Sequence, residues 1–266
     1  MTDPLTHWEG EPVRVWEGLW GVPLLEAWRV LASTNGRARW LADAGAQAFS
    51  VVIAEEQTAG RGRGGRSWWS PADSGLWISL VAPHRPDVVM PRVSLLVGLA
   101  LARAIEAVVP LTVELKWPND VWVNRRKVAG ILCETAGRSV VMGVGVNIRQ
   151  RQEDFAAELR PLASSLEAEA GSAVSRGALA GALMRELRHT LDRPEARLEG
   201  EFAREFSERD ALRGRMLSID GVSGVGAGVE ADGRLRIEVA PGQVRAVVTG
   251  HVEIDDSGGA SAGRGD

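Results

Sequence analysis

Between Thr112 and Val146 the chain passes through four short segments rich in β-branched residues, parted only by turn residues: Thr112 to Lys116, Val121 to Asn124, Lys127 to Glu134 and Ser139 to Val146. They read as adjacent strands of one sheet. The stretch just before them has a different period. From Pro91, the residues Val93, Leu96, Val97, Ala100, Leu101, Ala104, Ile105 and Val108 recur at helical spacing, the apolar stripe of an amphipathic helix that Pro91 opens and Pro110 closes. With 266 residues, 45% of them hydrophobic, the chain can bury a sizeable core as one large domain, or as a large one and a small one.

The flanking segments are read the same way. Residues 1 to about 25 hold Trp8, Trp16 and Trp20 among Gly and Pro without a clear period, which predicts an irregular arm. Asn35 to Ala44 reads as a helix, Phe49 to Ala54 and Leu76 to Val81 as strands. A helix is predicted from Leu179 to Leu198, interrupted at Pro194, with a short one over Phe202 to Glu208. The pattern changes near Ala211. Arg215 to Ile219, Gly226 to Glu230, Leu235 to Val239 and Val244 to Val248 are short strands joined by Gly- and Asp-containing turns, which suits a small barrel-like β module. Asp255 to Asp266 has almost nothing to bury and reads as a disordered tail.

Several function classes fall away. The segment from Met1 to Glu11 has no apolar core of a signal peptide, and the best apolar run, Leu95 to Ala102, is stopped by Arg103. A net charge of −4 argues against gripping duplex nucleic acid over the whole surface. The single cysteine, Cys133, excludes a disulfide framework and reads as core packing. The histidines at 7, 84, 189 and 251 are dispersed and suggest no metal site. The expectation is a cytoplasmic enzyme or binding protein.

Only two of the 31 basic residues are lysines, Lys116 and Lys127; all the others are arginines. An ammonium is a compact point charge, so lysine persists where arginine's planar fork does not fit. Lys116 heads Lys116-Trp117-Pro118-Asn119-Asp120 at the end of a strand, where Pro118 stops pairing and turns Asn119 and Asp120 outward. Lys127 begins the next strand and can face the same cleft, or can simply guard a strand edge. The loop Gln57 to Arg66, Gln-Thr-Ala-Gly-Arg-Gly-Arg-Gly-Gly-Arg, directly follows a strand. Its glycines and forked arginine donors suit an anion, phosphate above all, although alone it also fits a solvated loop or an RNA contact. It has neither the Walker ending nor a dinucleotide fingerprint.

Ser33-Thr34-Asn35, the loop from Gln57 through Arg63 to Arg66-Ser67-Trp68, Lys116 to Asp120, Lys127-Val128-Ala129-Gly130-Ile131-Leu132 and Gly143-Val144-Gly145-Val146-Asn147 together resemble, in order and spacing, the biotin–protein ligases. The likeness runs from Ser33 to about Ile148. The resemblance implies an α/β (α+β) fold of the class II synthetase type over residues 1–209, a mixed sheet covered by helices, then a small SH3-like β-barrel over 210–254 and the tail 255–266. It implies that biotin and Mg2+-ATP form biotinyl-5′-adenylate, from which a lysine of a biotin carboxyl carrier protein takes the biotinyl group.

Family roles carry over to matching positions. Ser33, Thr34, Asn35 and Gln57 would meet biotin's ureido group or its surroundings, with Gly143 and Gly145 leaving room or merely permitting close strand packing. Gly60, Arg61, Gly62 and Arg63 would close over the adenylate, Arg63 and Arg66 near phosphate. Trp68 would cover the ligand, Asn119 would sit near adenine, and Asn147 would join the nucleotide side. Lys127 would lie against the carboxylate and the new phosphoester. The residue chemistry agrees, since joining a carboxylate to ATP needs fixed positive charge, which Lys116, Lys127, Arg61, Arg63 and Arg66 can supply, while Asp120 can orient or deprotonate the carrier amine. No protein-only metal site is expected, and the state is monomer or homodimer.

Three rivals remain. A lipoate–protein ligase or octanoyltransferase shares the fold and the transfer to lysine, but the Gly-Arg-Gly-Arg loop with Lys-Trp-Pro-Asn-Asp favours the biotin branch. A DNA-binding repressor is disfavoured, because only 32 residues precede Ser33 and they show no helix-turn-helix pattern. An RNA-binding protein would ignore biotin and bind with a steep salt dependence.

Overall fold

Alternation along Ser139–Asn147 determines where the molecule is solid and where it is open. Val140, Met142, Val144 and Val146 point to one face and join the main apolar core, while Val141, Gly143, Gly145 and Asn147 point to the other. The first face must be covered by helices. The second has two positions with no side chain, so whatever covers it leaves a space there.

The computed structural model describes residues 4–83, 90–191 and 198–255. In chain order the elements are β1 (His7–Trp8), β2 (Glu11–Pro12), α1 (Val13–Trp20), β3 (Leu25–Leu31), α2 (Thr34–Asp43), β4 (Val51–Gln57), β5 (Gly75–Pro83) and α3 (Met90–Val108). The hairpins β6 (Glu114–Lys116), β7 (Asp120–Val123), β8 (Arg126–Ala136) and β9 (Ser139–Asn147) follow, then α4 (Leu166–Ala170), α5 (Arg176–Leu191) and α6 (Gly200–Arg209). The last part holds β10 (Met216–Ile219), β11 (Val222–Val229), β12 (Leu235–Ala240), β13 (Gln243–Val247) and β14 (Glu253–Ile254).

Seven strands form one sheet in the order β3-β4-β5-β9-β8-β7-β6. Only β3 and β4 are parallel; the remaining neighbours are antiparallel, so the sheet is mixed, as expected. The long ladder β5–β9 runs from Gly75↔Asn147 to Pro83↔Ser139 and forms its centre. α3 and α5 pack with the valine-rich face, where α3 buries twelve residues. α2 lies on the other face over a smaller cluster that includes Trp28, Ala38, Leu41, Val52, Val81 and Val141. Among the described residues no helix is long and apolar enough to cross a membrane.

The N-terminal arm is not irregular. Val13–Trp20 is a helix whose Trp16 and Trp20, one turn apart, stack at 5.7 Å and meet Trp8 edge-on at 5.8 and 5.7 Å. These rings sit on Gly177 and Gly181, also one turn apart on α5; a Cβ at Gly177 would lie 2.4 Å from Trp16. Exposed Val15 and Leu19 blur the period in the sequence. Arg176, beside these glycines, is buried and binds both Glu9 and Glu55 as well as the Gly75 carbonyl, tying the arm to the sheet. The sequence reading also omits strand β3, where Glu26 interrupts the apolar run and is satisfied by Arg37 and by the Trp28 indole. β4 extends past Ala54, so Gln57 ends a strand rather than beginning a loop. Pro194 and residues 256–266 lie outside the described residues.

The C-terminal strands form one antiparallel sheet in the order β13-β12-β11-β10-β14. This is the expected small β unit, with β13 and β14 as its two unpaired edges among the described residues. It docks where a glycine lets backbone meet backbone: the position of a Cβ on Gly233 would be 2.6 Å from the Arg92 nitrogen, and the Gly233 carbonyl accepts the Trp117 indole N–H at 2.9 Å.

Asp210 stands at the crossing between the two sheets. The next residue's N–H, that of Ala211, donates to Leu115 O at 3.0 Å, and Asp210 Oδ1 accepts the Leu212 N–H at 2.9 Å, but Oδ2 is buried without a hydrogen-bond partner. Burial pushes this carboxyl up to about 6, against the lowering influence of the Leu212 N–H and Arg213. A folded-state value above the unfolded one favours folding only in acid, and the benefit is lost as pH rises through about 6. Ionised Asp210 therefore costs on the order of 3 kcal/mol at pH 7.5. Asp210→Asn is expected to raise the melting temperature at pH 7.5 and to change it little at pH 4. An equal shift at both pH values would place the effect elsewhere.

Candidate active site

The floor of the site follows from the open face of the sheet. β8 contributes Gly130 and Leu132 opposite Gly145 and Gly143 of β9, so three glycines lie side by side across two strands. Trp68 lays its ring on two of them: a Cβ on Gly130 or Gly145 would lie 2.8 or 2.6 Å from the indole. Trp77 supports Trp68 edge-on at 6.4 Å. Above this floor opens a cavity of about 1520 Å³. All but one of the site residues expected from the sequence line it; the exception is Gly60. Gly60 is buried at the base of the loop, where a Cβ would lie 2.4 Å from the Trp68 carbonyl, so its role there is close packing.

One end of the cavity is built from hydrogen-bonding groups. Gln57 Oε1 accepts from the Thr34 N–H at 2.8 Å and the Thr34 hydroxyl at 3.1 Å, and Gln57 Nε2 donates to Ser70 Oγ at 2.8 Å. Ser79, fully buried in β5, bonds Thr34 Oγ1 at 2.8 Å and donates to Asn35 Oδ1 at 2.6 Å. Asn35 Nδ2 donates to Glu134 at 2.9 Å and to the Leu132 carbonyl at 3.2 Å, so both ends of this amide are already committed. Ser33 begins α2 without a side-chain capping bond and faces the cavity instead. Two other asparagines anchor the walls: Asn119 Nδ2 donates to Ile131 O at 2.9 Å, and Asn147 Nδ2 to Ser164 O at 3.0 Å.

The opposite end gathers cations. Lys127 pairs with Asp120 at 2.6 Å and stands 5.1 Å from the centre of the Trp68 ring; Arg61 instead reaches back to Glu134 at 2.7 Å, the carboxylate that also holds Asn35. Lys116 Nζ donates to the Val252 carbonyl at 3.2 Å and lies 4.9 Å over Trp122. Burial holds its pKa below the ordinary lysine range; Asp120 opposes that shift and Lys127 adds to it. Arg63 is half-buried, and burial lowers its pKa against the attraction of Asp120. Desolvated positive charge of this sort favours an incoming anion. Arg66 completes the group on the exposed side of the loop.

The loop itself is more ordered than four free glycines would imply. The Gly62 N–H donates to Arg66 O at 2.7 Å and the Trp68 N–H to Gly60 O at 2.8 Å, so Arg61 to Trp68 is a closed hairpin. Positive φ is needed at Gly64 and Gly65, at its tip, not at Gly60 or Gly62. Cys133 packs against the core, and burial pushes its thiol up to about 12, far from a nucleophile's range. Among the described residues no cluster of three or more His, Cys, Asp or Glu side chains is placed to hold a metal; His84 lies outside them.

Sequence reasoning missed Ser79, Glu134 and the segment Thr249 to Ile254, which lines one side of the cavity. Ser79 had a signal, since it is the one polar residue within Leu76-Trp77-Ile78-Ser79-Leu80-Val81. Glu134, an acid closing an apolar strand, had a weaker one. Thr249 had none.

Comparison with known proteins places this geometry in context. The biotin/lipoate A/B protein ligase family matches residues 29–150. The bifunctional ligase/repressor BirA of Bacillus spizizenii is 39% identical over 155 residues, covering 55% of this chain and 47% of that protein, so the chain spans about half the length of this relative. A biotin–[acetyl-CoA-carboxylase] ligase of Mycobacterium tuberculosis is 36% identical over 225 residues, 78% of this chain and 80% of its own. The solved biotin protein ligase of Aquifex aeolicus, in complex with biotin and ATP, shares the fold with a TM-score of 0.76 over 87% of this chain and 98% of that one, at 23% identity.

Proposed function

The chain belongs to the biotin/lipoate A/B protein ligase family, and we propose that it activates biotin with ATP to biotinyl-5′-adenylate and transfers the biotinyl group to one lysine of a biotin carboxyl carrier protein. The observation that carries this reading is the two-ended cavity: the hydrogen-bonding groups of Thr34 and Gln57, backed by buried Ser79, at one end, Lys127, Lys116 and Arg63 at the other, joined by a floor of glycines. Biotin has that form, with a neutral ureido ring, an apolar chain and a terminal carboxylate. Lipoate, the runner-up, presents a dithiolane, which cannot exchange hydrogen bonds with Thr34 and Gln57 as a ureido ring can.

In the first step a biotin carboxylate oxygen attacks the α-phosphorus of ATP and pyrophosphate leaves. Lys127, held by Asp120, sits where carboxylate and phosphate converge, and Lys116, Arg61, Arg63 and Arg66 offset the charge developing on the phosphorus and pyrophosphate. Magnesium arrives with the ATP phosphates and spreads their charge further. In the second step the carrier amine attacks the acyl carbon and AMP leaves; Asp120 is the carboxylate we assign to orient that amine. The mixed anhydride would hydrolyse in open water, so the loop over Arg63 and the Trp68 ring protect it by keeping water out. Residues 1–209 form the catalytic part and 210–254 an SH3-like unit, the carrier belongs to a biotin-dependent carboxylase, and the reaction takes place in the cytoplasm.

Transfer itself provides the test. Protein incubated with biotin, Mg2+-ATP and a carrier domain is expected to add one biotinyl mass to one lysine, and none to a carrier with that lysine changed to Arg. No added mass on the intact carrier would contradict the transfer step. Arg63→Ala is expected to shorten the lifetime of enzyme-bound adenylate about tenfold, about what loss of a charge-assisted contact produces. A chase of preloaded labelled intermediate measures this, and an unchanged lifetime would remove Arg63 from the lid.

A further inference from the structure

We propose that Thr249 is a positioning residue for Arg63, through which the C-terminal sheet holds the glycine–arginine loop over the bound intermediate; this rests on the function proposed above. The two residues lie 186 positions apart, yet Arg63 Nη2 donates to Thr249 Oγ1 at 2.7 Å. Among the described residues this hydroxyl is the one hydrogen-bond acceptor of the Arg63 guanidinium, which has no carboxylate within ion-pair distance and otherwise stands 6.0 Å over the Trp117 ring.

The chemistry of that partner matters. A carboxylate in the same place would fix the guanidinium and also cancel its charge. A neutral hydroxyl fixes its direction and leaves the charge available to a phosphate. Burial lowers the Arg63 pKa and the attraction of Asp120 only partly offsets it, as expected of a cation that has lost part of its water and has no carboxylate in direct contact.

The path of the chain supports a built contact. Gly250 has φ +151°, and a Cβ there would lie 2.3 Å from Ile219 Cγ2 and 2.8 Å from Asp220 Oδ2. Only glycine lets the strand connection pass this close to the end of β10 and present Thr249 to the loop. Two residues further on, the Val252 carbonyl accepts from Lys116 Nζ at 3.2 Å. The same segment therefore contacts two of the cations gathered at one end of the cavity.

The experiment compares wild type, Thr249→Val, Thr249→Ser, Arg63→Ala and the Arg63→Ala/Thr249→Val double variant in the chase of preloaded biotinyl-adenylate. Thr249→Val, equal in shape without the hydroxyl, is expected to shorten the bound lifetime about fivefold, in line with one lost hydrogen bond to a charged group. Thr249→Ser is expected to keep it within about twofold, and Thr249→Val should add little once Arg63 is gone. A Thr249→Val lifetime equal to wild type while Arg63→Ala leaks would overturn the inference. So would a Thr249→Val effect that persists in full beside Arg63→Ala. Failure of wild type to form any adenylate is a separate result, and it would overturn the proposed function together with this inference.

Discussion

Lys127→Arg is expected to slow biotin-dependent adenylation at least about 100-fold although the charge is kept, the scale on which loss of one well-placed transition-state donor acts. Lys127 is held at both its ammonium and its backbone. Its Nζ meets Asp120 at 2.6 Å and the Trp68 face at 5.1 Å, while its backbone N–H donates to Leu162 O at 2.8 Å and its carbonyl accepts the Ser164 N–H at 2.9 Å. A guanidinium is broader and planar. It would seek a two-pronged bond with Asp120 and crowd the indole, moving positive charge away from the point where carboxylate and α-phosphate meet. Pyrophosphate exchange and thermal melting together check this: the melt should be nearly unchanged and the exchange nearly gone. Exchange within a few-fold of wild type would remove Lys127 from the chemistry.

The second large effect is expected from a single methyl group. Gly143→Ala places a Cβ 2.1 Å from Asn35 Oδ1, the atom that accepts from buried Ser79. Neither partner has room to retreat, because Asn35 is also fastened to Leu132 O and Glu134, and Ser79 to Thr34. Breaking this buried network should cost about 2–3 kcal/mol, or a melting temperature lower by roughly 5–10 °C. It should also raise the KM for biotin more than tenfold, since Thr34 and Gln57 hang from the same hydrogen bonds. A stable variant with ordinary biotin dependence would show that the polar end of the cavity does not read the ligand.

What is legible in the sequence is local. The alternation of Ser139–Asn147 already separates a valine face from a glycine face, and the two lysines in an arginine-rich chain already point to one place. The glycine–arginine loop is visible as an anion site, but its glycines divide their roles in a way that the sequence does not show. Positive φ falls at Gly64 and Gly65, while Gly60 makes room for the Trp68 carbonyl. The arm helix is hidden because its buried stripe is short and Val15 and Leu19 face outward. Its packing partner, the Gly177–Gly181 step, lies far along the chain.

Distance in sequence explains the other omissions. Glu134 looks like an ordinary strand residue until Asn35 and Arg61 are seen to share one of its oxygens. The closing wall of the cavity comes from Thr249 to Ile254, in a different sheet, and depends on Gly233, which a sequence reading assigns to a turn, and on Gly250, which it passes over. Periodicity reports which face of an element is buried, not which distant element buries it.

The most direct test of biotin activation is exchange of labelled pyrophosphate into ATP by the purified protein with magnesium, in parallel with biotin, lipoate and octanoate. Exchange with biotin alone is the predicted result, because of the three only that ring can exchange hydrogen bonds at the Thr34–Gln57 end while its carboxylate reaches Lys127. Exchange with lipoate or octanoate but not biotin, or none with any of the three, would contradict it.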